Sequence, residues 1–136
     1  VTPTVPLRGL LDTSVFVAIE AGRSLRKEAM PMTGAVSIVT KAELRAGVLV
    51  ADEIAMRDQR IKTLELVTRI AVLPVDEEVS SAWAQMRAYL AASERRVNAN
   101  DMWIAATAAA HEIPVVTQDA DFDPLNGVAG LTVIPV

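Results

Sequence analysis

Strand-length apolar runs alternate with helix-length amphipathic segments along the whole chain, and that alternation restricts the fold more than any other feature. Residues 7–11 read as a short strand ending at Asp12-Thr13-Ser14. Residues 14–21 then form a helix stopped by Gly22. Residues 34–39 are rich in β-branched side chains and predict a second strand. Thr40-Lys41-Ala42-Glu43 has the form of a capping box and opens a helix to about residue 51. Another helix is expected over roughly 52–69, where charges interleave with Ile54, Ile61 and Leu64. A third strand is read at 71–75. From Asp76 the spacing Val79, Ala82, Trp83, Met86, Leu90 gives one apolar helical face. Asn98 or Asn100 caps the next helix, which carries Asp101 and runs to His111. Residues 113–117 and 131–134 supply the last two strands.

Such an order predicts a single α/β domain over 1–136, with 1–6 as an extended leader. Its architecture is a three-layer α/β/α sandwich around a central, mostly parallel five-stranded sheet. Functional residues in these sheets gather beyond the carboxyl ends of the strands. Asp12, Glu43 and Asp119 stand after expected strands, and Asp101 opens the helix leading into the fourth. Each acid has an ordinary local role: Asp12 as a helix cap, Glu43 as half of a capping box, Asp101 against a helix dipole, Asp119 in a turn. Together they imply more, because Ser, Asn or Thr would cap as well. Carboxylates drawn to one edge repel unless a cation joins them. An all-oxygen set favours a hard ion, Mg²⁺ or Mn²⁺.

Composition narrows the alternatives. The chain has no Cys and a single His, so neither a thiolate nor a histidine-rich zinc site is available. His111 is expected to complement a helix C-terminus or to pack. No apolar run is long enough for a membrane helix, and Val-Thr-Pro-Thr-Val-Pro lacks a signal-peptide pattern; a cytoplasmic address is expected. A net charge of −4 argues against tight, non-specific nucleic-acid binding. It leaves a nuclease open, since clustered metal-binding acids lower the formal charge.

The motifs Leu10-Leu11-Asp12-Thr13-Ser14-Val15, Thr40-Lys41-Ala42-Glu43-Leu44, Asn100-Asp101-Met102-Trp103-Ile104-Ala105-Ala106 and Val116-Thr117-Gln118-Asp119-Ala120-Asp121-Phe122 resemble, in order, those of PIN-domain ribonucleases. The likeness is greatest to VapC toxins of type II toxin–antitoxin systems. It implies a Mg²⁺-dependent (Mn²⁺ possible) endoribonuclease that leaves a 5′-phosphate and a 3′-hydroxyl. Asp12, Glu43, Asp101 and Asp119 match the family's acidic quartet, with Asp121 close enough to assist or replace Asp119. Thr13, Ser14, Asn100 and Thr117 match polar residues that steady the acids. The resemblance also implies an RNA substrate, a homodimer and a cognate antitoxin that lays a helix and tail on the chain.

Lys41 and Arg45 flank Glu43, and Arg95 and Arg96 precede Asp101; both pairs are candidates for holding RNA phosphates, or for solvated helix faces. Trp83 and Trp103 lie on apolar stripes and are expected in the core. The helices bearing Leu44, Val48, Ile54, Ile61 and Leu64 carry more apolar surface than a small sheet covers, which is a candidate partner site. Two other readings are a housekeeping RNA-processing PIN nuclease and a PIN-like module that binds RNA or protein without cutting. A haloacid-dehalogenase-like phosphatase fails for want of a second Asp two positions after Asp12. A receiver domain fails for want of an acidic pair at the first strand and a late Lys.

Overall fold

The computed structural model describes residues 5–136; four of the six residues read as a leader, 1–4, lie outside the described residues. Five strands run in the order β3-β2-β1-β4-β5, every pairing parallel: β1 Arg8–Leu11, β2 Thr33–Ser37, β3 Ala71–Leu73, β4 Val115–Thr117 and β5 Val133–Pro135. The chain leaves the central β1 towards β2 and β3, then returns past it to β4 and β5. The direction of winding therefore reverses between β1 and β4, where such sheets open a crevice at their carboxyl ends. Asp12 N–H donates to the Val116 carbonyl at 2.9 Å, which closes the two strands just below that crevice.

Alternation along the strands divides the interior in two. Leu10, Ala35 and Val115 face α4 (Glu77–Ser93) and α5 (Ala99–Ala110), packing with Met86, Leu90, Ile104 and Phe122. Their neighbours Leu11, Val36 and Val116 face the other way, towards α1 (Thr13–Glu20), α2 (Ile38–Leu49) and α3 (Ile54–Val67). This is the expected three-layer sandwich. Gly34 suits the sheet because a Cβ there would stand 2.9 Å from Leu11 Cδ1. The α2–α3 hairpin is tied by Arg57 and Arg60, which donate to the Ala51 and Gly47 carbonyls near the end of α2. No helix among the described residues is long and apolar enough to cross a membrane.

Several expected boundaries move. The second strand stops at Ser37 rather than residue 39, because Ser37 itself caps α2, its Oγ accepting from Val39 N–H at 3.0 Å. Thr40 and Glu43 therefore lie inside α2 and do not form a capping box. The third strand ends at Leu73, before Pro74. The fifth runs Val133–Pro135 rather than 131–134. Asn98, not Asn100, caps α5, its Oδ1 accepting from Asn100 N–H at 2.8 Å. The turn expected around Asp119 is a 3₁₀ turn at Ala120–Leu125, while those at Lys27–Ala29 and Val128–Gly130 had no counterpart in the sequence reading.

Candidate metal centre

In parallel α/β units a helix runs back against the strands, so its first turn lies at their carboxyl edge. That rule brings the first turns of α1, α2 and α5 to the same edge as the end of β4. Asp12 ends the central strand and is only 3% exposed. It caps α1, with Ser14 N–H 3.3 Å from its Oδ2, so the capping role and a place in the centre coexist in one side chain. Thr117, at the end of β4, donates to the same oxygen at 2.9 Å and accepts from Asp119 N–H at 2.9 Å. Ser14 Oγ lies 3.1 Å from Thr117 Oγ1 and accepts from Gln118 N–H at 2.9 Å. These hydroxyls join the two central strands and orient two carboxylates.

Glu43 enters from the second turn of α2. Thr13 donates to its Oε1 at 2.6 Å, and Asn100 Nδ2 lies 3.4 Å from its Oε2. Thr40, read from sequence as a cap, is buried and holds Thr13 instead, at 3.0 Å between hydroxyl oxygens. Asp119 caps the 3₁₀ turn that follows it, its Oδ1 accepting from Asp121 N–H at 2.9 Å. Carboxylate oxygens of Asp101, Asp119 and Asp121 all lie within 4.8 Å of one another, so both candidates for the fourth acid face Asp101. Asp119 is half-buried and Asp121 exposed.

The electrostatics follow from this crowding. Burial raises the Asp101 carboxyl, and the negative charges of Asp12, Asp119, Glu43 and Asp121 raise it further, from 3.8 to about 7. Burial also holds Asp12 above its ordinary value, against the lowering effect of hydrogen bonds from Ser14 and Thr117. The close carboxylates of Asp101, Asp119 and Asp121, with the charges of Asp12 and Glu43 also felt at Asp101, are all oxygen donors and fit a hard divalent cation, which would replace the proton that Asp101 otherwise keeps. For Thr117→Val we expect a loss of roughly 1–3 kcal/mol, because the change leaves the Asp119 N–H unpaired and a buried carboxylate oxygen with only the longer bond from Ser14 N–H. Thr117→Ser should recover most of it. Urea unfolding of the two variants checks both values.

The basic candidates divide. Lys41 is half-buried and Arg45 exposed on α2, and neither forms an ion pair among the described residues. Arg95 and Arg96 line a cavity beside the centre, together with Arg87, which the sequence reading did not single out. Trp83 and Trp103 stack on each other, ring centroids 4.9 Å apart, against the α4–α5 side of the core. His111 is the residue after α5, as expected. The sequence reading also missed Gln118, whose Nε2 donates to the Ser24 and Val136 carbonyls at 3.1 and 3.0 Å. Its position between Thr117 and Asp119 was the available signal.

The PIN domain family model matches residues 9–127. Ribonuclease VapC5 of Mycobacterium tuberculosis is 50% identical over 133 residues, 98% of this chain and 98% of that protein. Ribonuclease VapC4 of the same species is 44% identical, over 93% of this chain and 97% of that one. Among solved structures, a member of the VapBC family of toxin–antitoxin systems, VapBC-5 from M. tuberculosis, matches with a TM-score of 0.91. It is 47% identical and covers 96% of this chain and 100% of its own. FitAcB from Neisseria gonorrhoeae matches at 0.70 with 29% identity, over 92% and 95% of the two chains.

Proposed function

The chain belongs to the PIN domain family, and on that premise we propose that it is a Mg²⁺-dependent endoribonuclease, the toxin of a VapC-type toxin–antitoxin pair. The observation that carries the catalytic part is the approach of the Asp101, Asp119 and Asp121 carboxylates to within 4.8 Å of one another, where burial and the added charges of Asp12 and Glu43 raise the Asp101 pKa to about 7. Retention of a proton by a half-buried carboxylate beside four others marks a place for positive charge.

Asp101, Asp119 and Asp121 would hold the ion, with Asp12 and Glu43 completing the donor set from the other side. What such an ion supplies when bound is charge opposite the phosphoryl oxygens and a lowered pKa for water. The protein's own work is orientation. Thr117 and Ser14 hold Asp12 and the Asp119 backbone, and Thr13 and Asn100 hold Glu43, so the carboxylates stay aimed without rearrangement during reaction. Burial of Asp12 beneath the cluster keeps its charge from being screened by water. Magnesium is preferred over zinc because no nitrogen or sulfur donor joins the acids. Lys41 and Arg45 are assigned to the phosphates of the incoming RNA, as are Arg95 and Arg96.

The partner assignment rests on the similarity to a structure from a VapBC toxin–antitoxin system and on surface. Ile54 is 86% exposed, Leu49 80% and Val50 69%, all at the tip of the α2–α3 hairpin. Apolar side chains gathered so openly favour a protein partner. An antitoxin helix and a second copy of the chain are the proposed occupants of this side of the molecule.

Cleavage of bacterial RNA by the purified protein is expected with Mg²⁺ and absent in EDTA. Metal affinity should also fall below about pH 7, where the ion must displace a proton from Asp101. Calorimetry at pH 6 in buffers of different ionisation heat is expected to show proton release on Mg²⁺ binding, fading by pH 8.5. Cleavage that persists in EDTA would sink the metal-dependent reading.

A further inference from the structure

A cavity of about 600 Å³ lies beside the carboxylates, between the last turns of α4 and the start of α5. Its apolar wall includes Trp83, Leu90, Val97 and Met102, and its charged lining is three arginines, Arg87, Arg95 and Arg96, against one acid, Glu94. The position follows from local structure. Helix α4 ends at Glu94 in a left-handed conformation (φ 56°), and Arg95 N–H turns back to the Leu90 carbonyl at 3.1 Å. That reversal leaves Arg95, Arg96 and Val97 between the two helices. Ala99 and Met102, both on the cavity lining, sit on the same first turn of α5 as Asp101. Cavity and carboxylates therefore meet at the first turn of α5.

We propose that this cavity seats one unpaired nucleotide of the RNA next to the scissile bond, its base against the apolar wall and its phosphate on the arginines. This rests on the ribonuclease reading above and adds the place and the chemistry of a substrate contact. Charge complementarity argues for the occupant. The protein is net acidic and its centre holds five carboxylates, so a phosphodiester is repelled until cations meet it. Arg87, Arg95 and Arg96 form no ion pair among the described residues, where the only such pair joins Arg26 and Glu28. Three open guanidinium groups around an apolar wall match the two halves of a nucleotide: planar cations for phosphate, aromatic and aliphatic surface for a base. A folded or paired RNA would not present a base to such a recess, so the cavity favours a single-stranded loop or end.

Two variants test this without touching the acids. Ala91→Trp fills the cavity from an exposed lining position, and Arg87→Ala/Arg95→Ala removes cations. Affinity for a fluorescein-labelled single-stranded RNA of mixed sequence is read by anisotropy in Ca²⁺, and cleavage of the same RNA in Mg²⁺. Ala91→Trp is expected to raise Kd and KM about tenfold with kcat little changed. The double arginine variant should weaken binding similarly and reduce the slope of log Kd against log salt by about 1.4. If Ala91→Trp does not fold, the arginine pair decides alone. Wild-type affinity and salt slope in folded variants, with wild-type protein still cleaving, would overturn the cavity assignment and leave the nuclease reading standing. A wild-type protein that neither binds nor cleaves the RNA overturns both.

Discussion

Asp101→Asn is expected to reduce RNA cleavage by roughly 10²–10³-fold while making the ion-free protein more stable. The two effects have one cause. In the folded chain Asp101 is half-buried near four negative charges and holds its proton to about pH 7, against 3.8 ordinarily. Between about pH 4 and 7 the folded state thus binds a proton that the unfolded state has released. Stability of the ion-free protein consequently falls as pH rises through that window, and above it the charged carboxylate is a standing penalty. Asn keeps the shape and removes the charge. Discounted for solvent screening at a half-exposed group, the gain at pH 8 is about 1–1.5 kcal/mol, or a rise of roughly 3–6 °C in melting temperature. In saturating Mg²⁺ the order should reverse, because only the wild-type protein gains from the ion. Thermal melts at pH 8 with EDTA and with Mg²⁺, beside a cleavage assay, read all three. An Asn variant that cleaves within tenfold of wild type, or melts below it in EDTA, refutes this account of the centre.

Phe122→Ala should be the most damaging single truncation near the centre, costing about 3–5 kcal/mol. Phe122 is fully buried against the α4–α5 side of the core, yet it lies one residue after Asp121 and three after Asp119. Its ring anchors the 3₁₀ turn Ala120–Leu125, whose first amides Asp119 caps. Removing the ring therefore opens a cavity and frees the segment that aims two acids. Met86→Ala, equally buried on α4, is the control: a loss of about 2–5 kcal/mol is expected there, with little change in Mg²⁺ affinity at low temperature. Urea unfolding gives the stabilities, and Mg²⁺ titration of the folded variants gives the affinities. If Phe122→Ala binds Mg²⁺ as tightly as Met86→Ala does, the ring is only core.

Local chemistry made most of this molecule legible before any coordinates. Strand and helix periodicities depend on which neighbours along the chain share a face, and α4, with Asp76 accepting from Val79 N–H at 3.0 Å, follows its apolar stripe as read. The acids were recognisable because strand ends in a parallel sheet share an edge. The capping box at Thr40 shows where local reading fails: Ser37 and Thr40 both begin plausible helices, and nothing short-range separates them. The choice was made by β2, which pairs with β3 through Ser37 and leaves that residue at the helix entrance. Thr40 was then turned inward to Thr13, 27 residues away.

Sequence alone determined the alternation of elements, the three layers and the identity of the carboxylates, because each depends on residue type and spacing along one segment. Tertiary structure alone decided that the winding reverses between β1 and β4, that Asp119 and Asp121 both face Asp101, and that Arg87 joins Arg95 and Arg96 around one cavity. Those outcomes are sums of burial and Coulomb interaction over groups distant in the chain. Their strength depends on separations and desolvation that exist only once the sheet has brought the segments together.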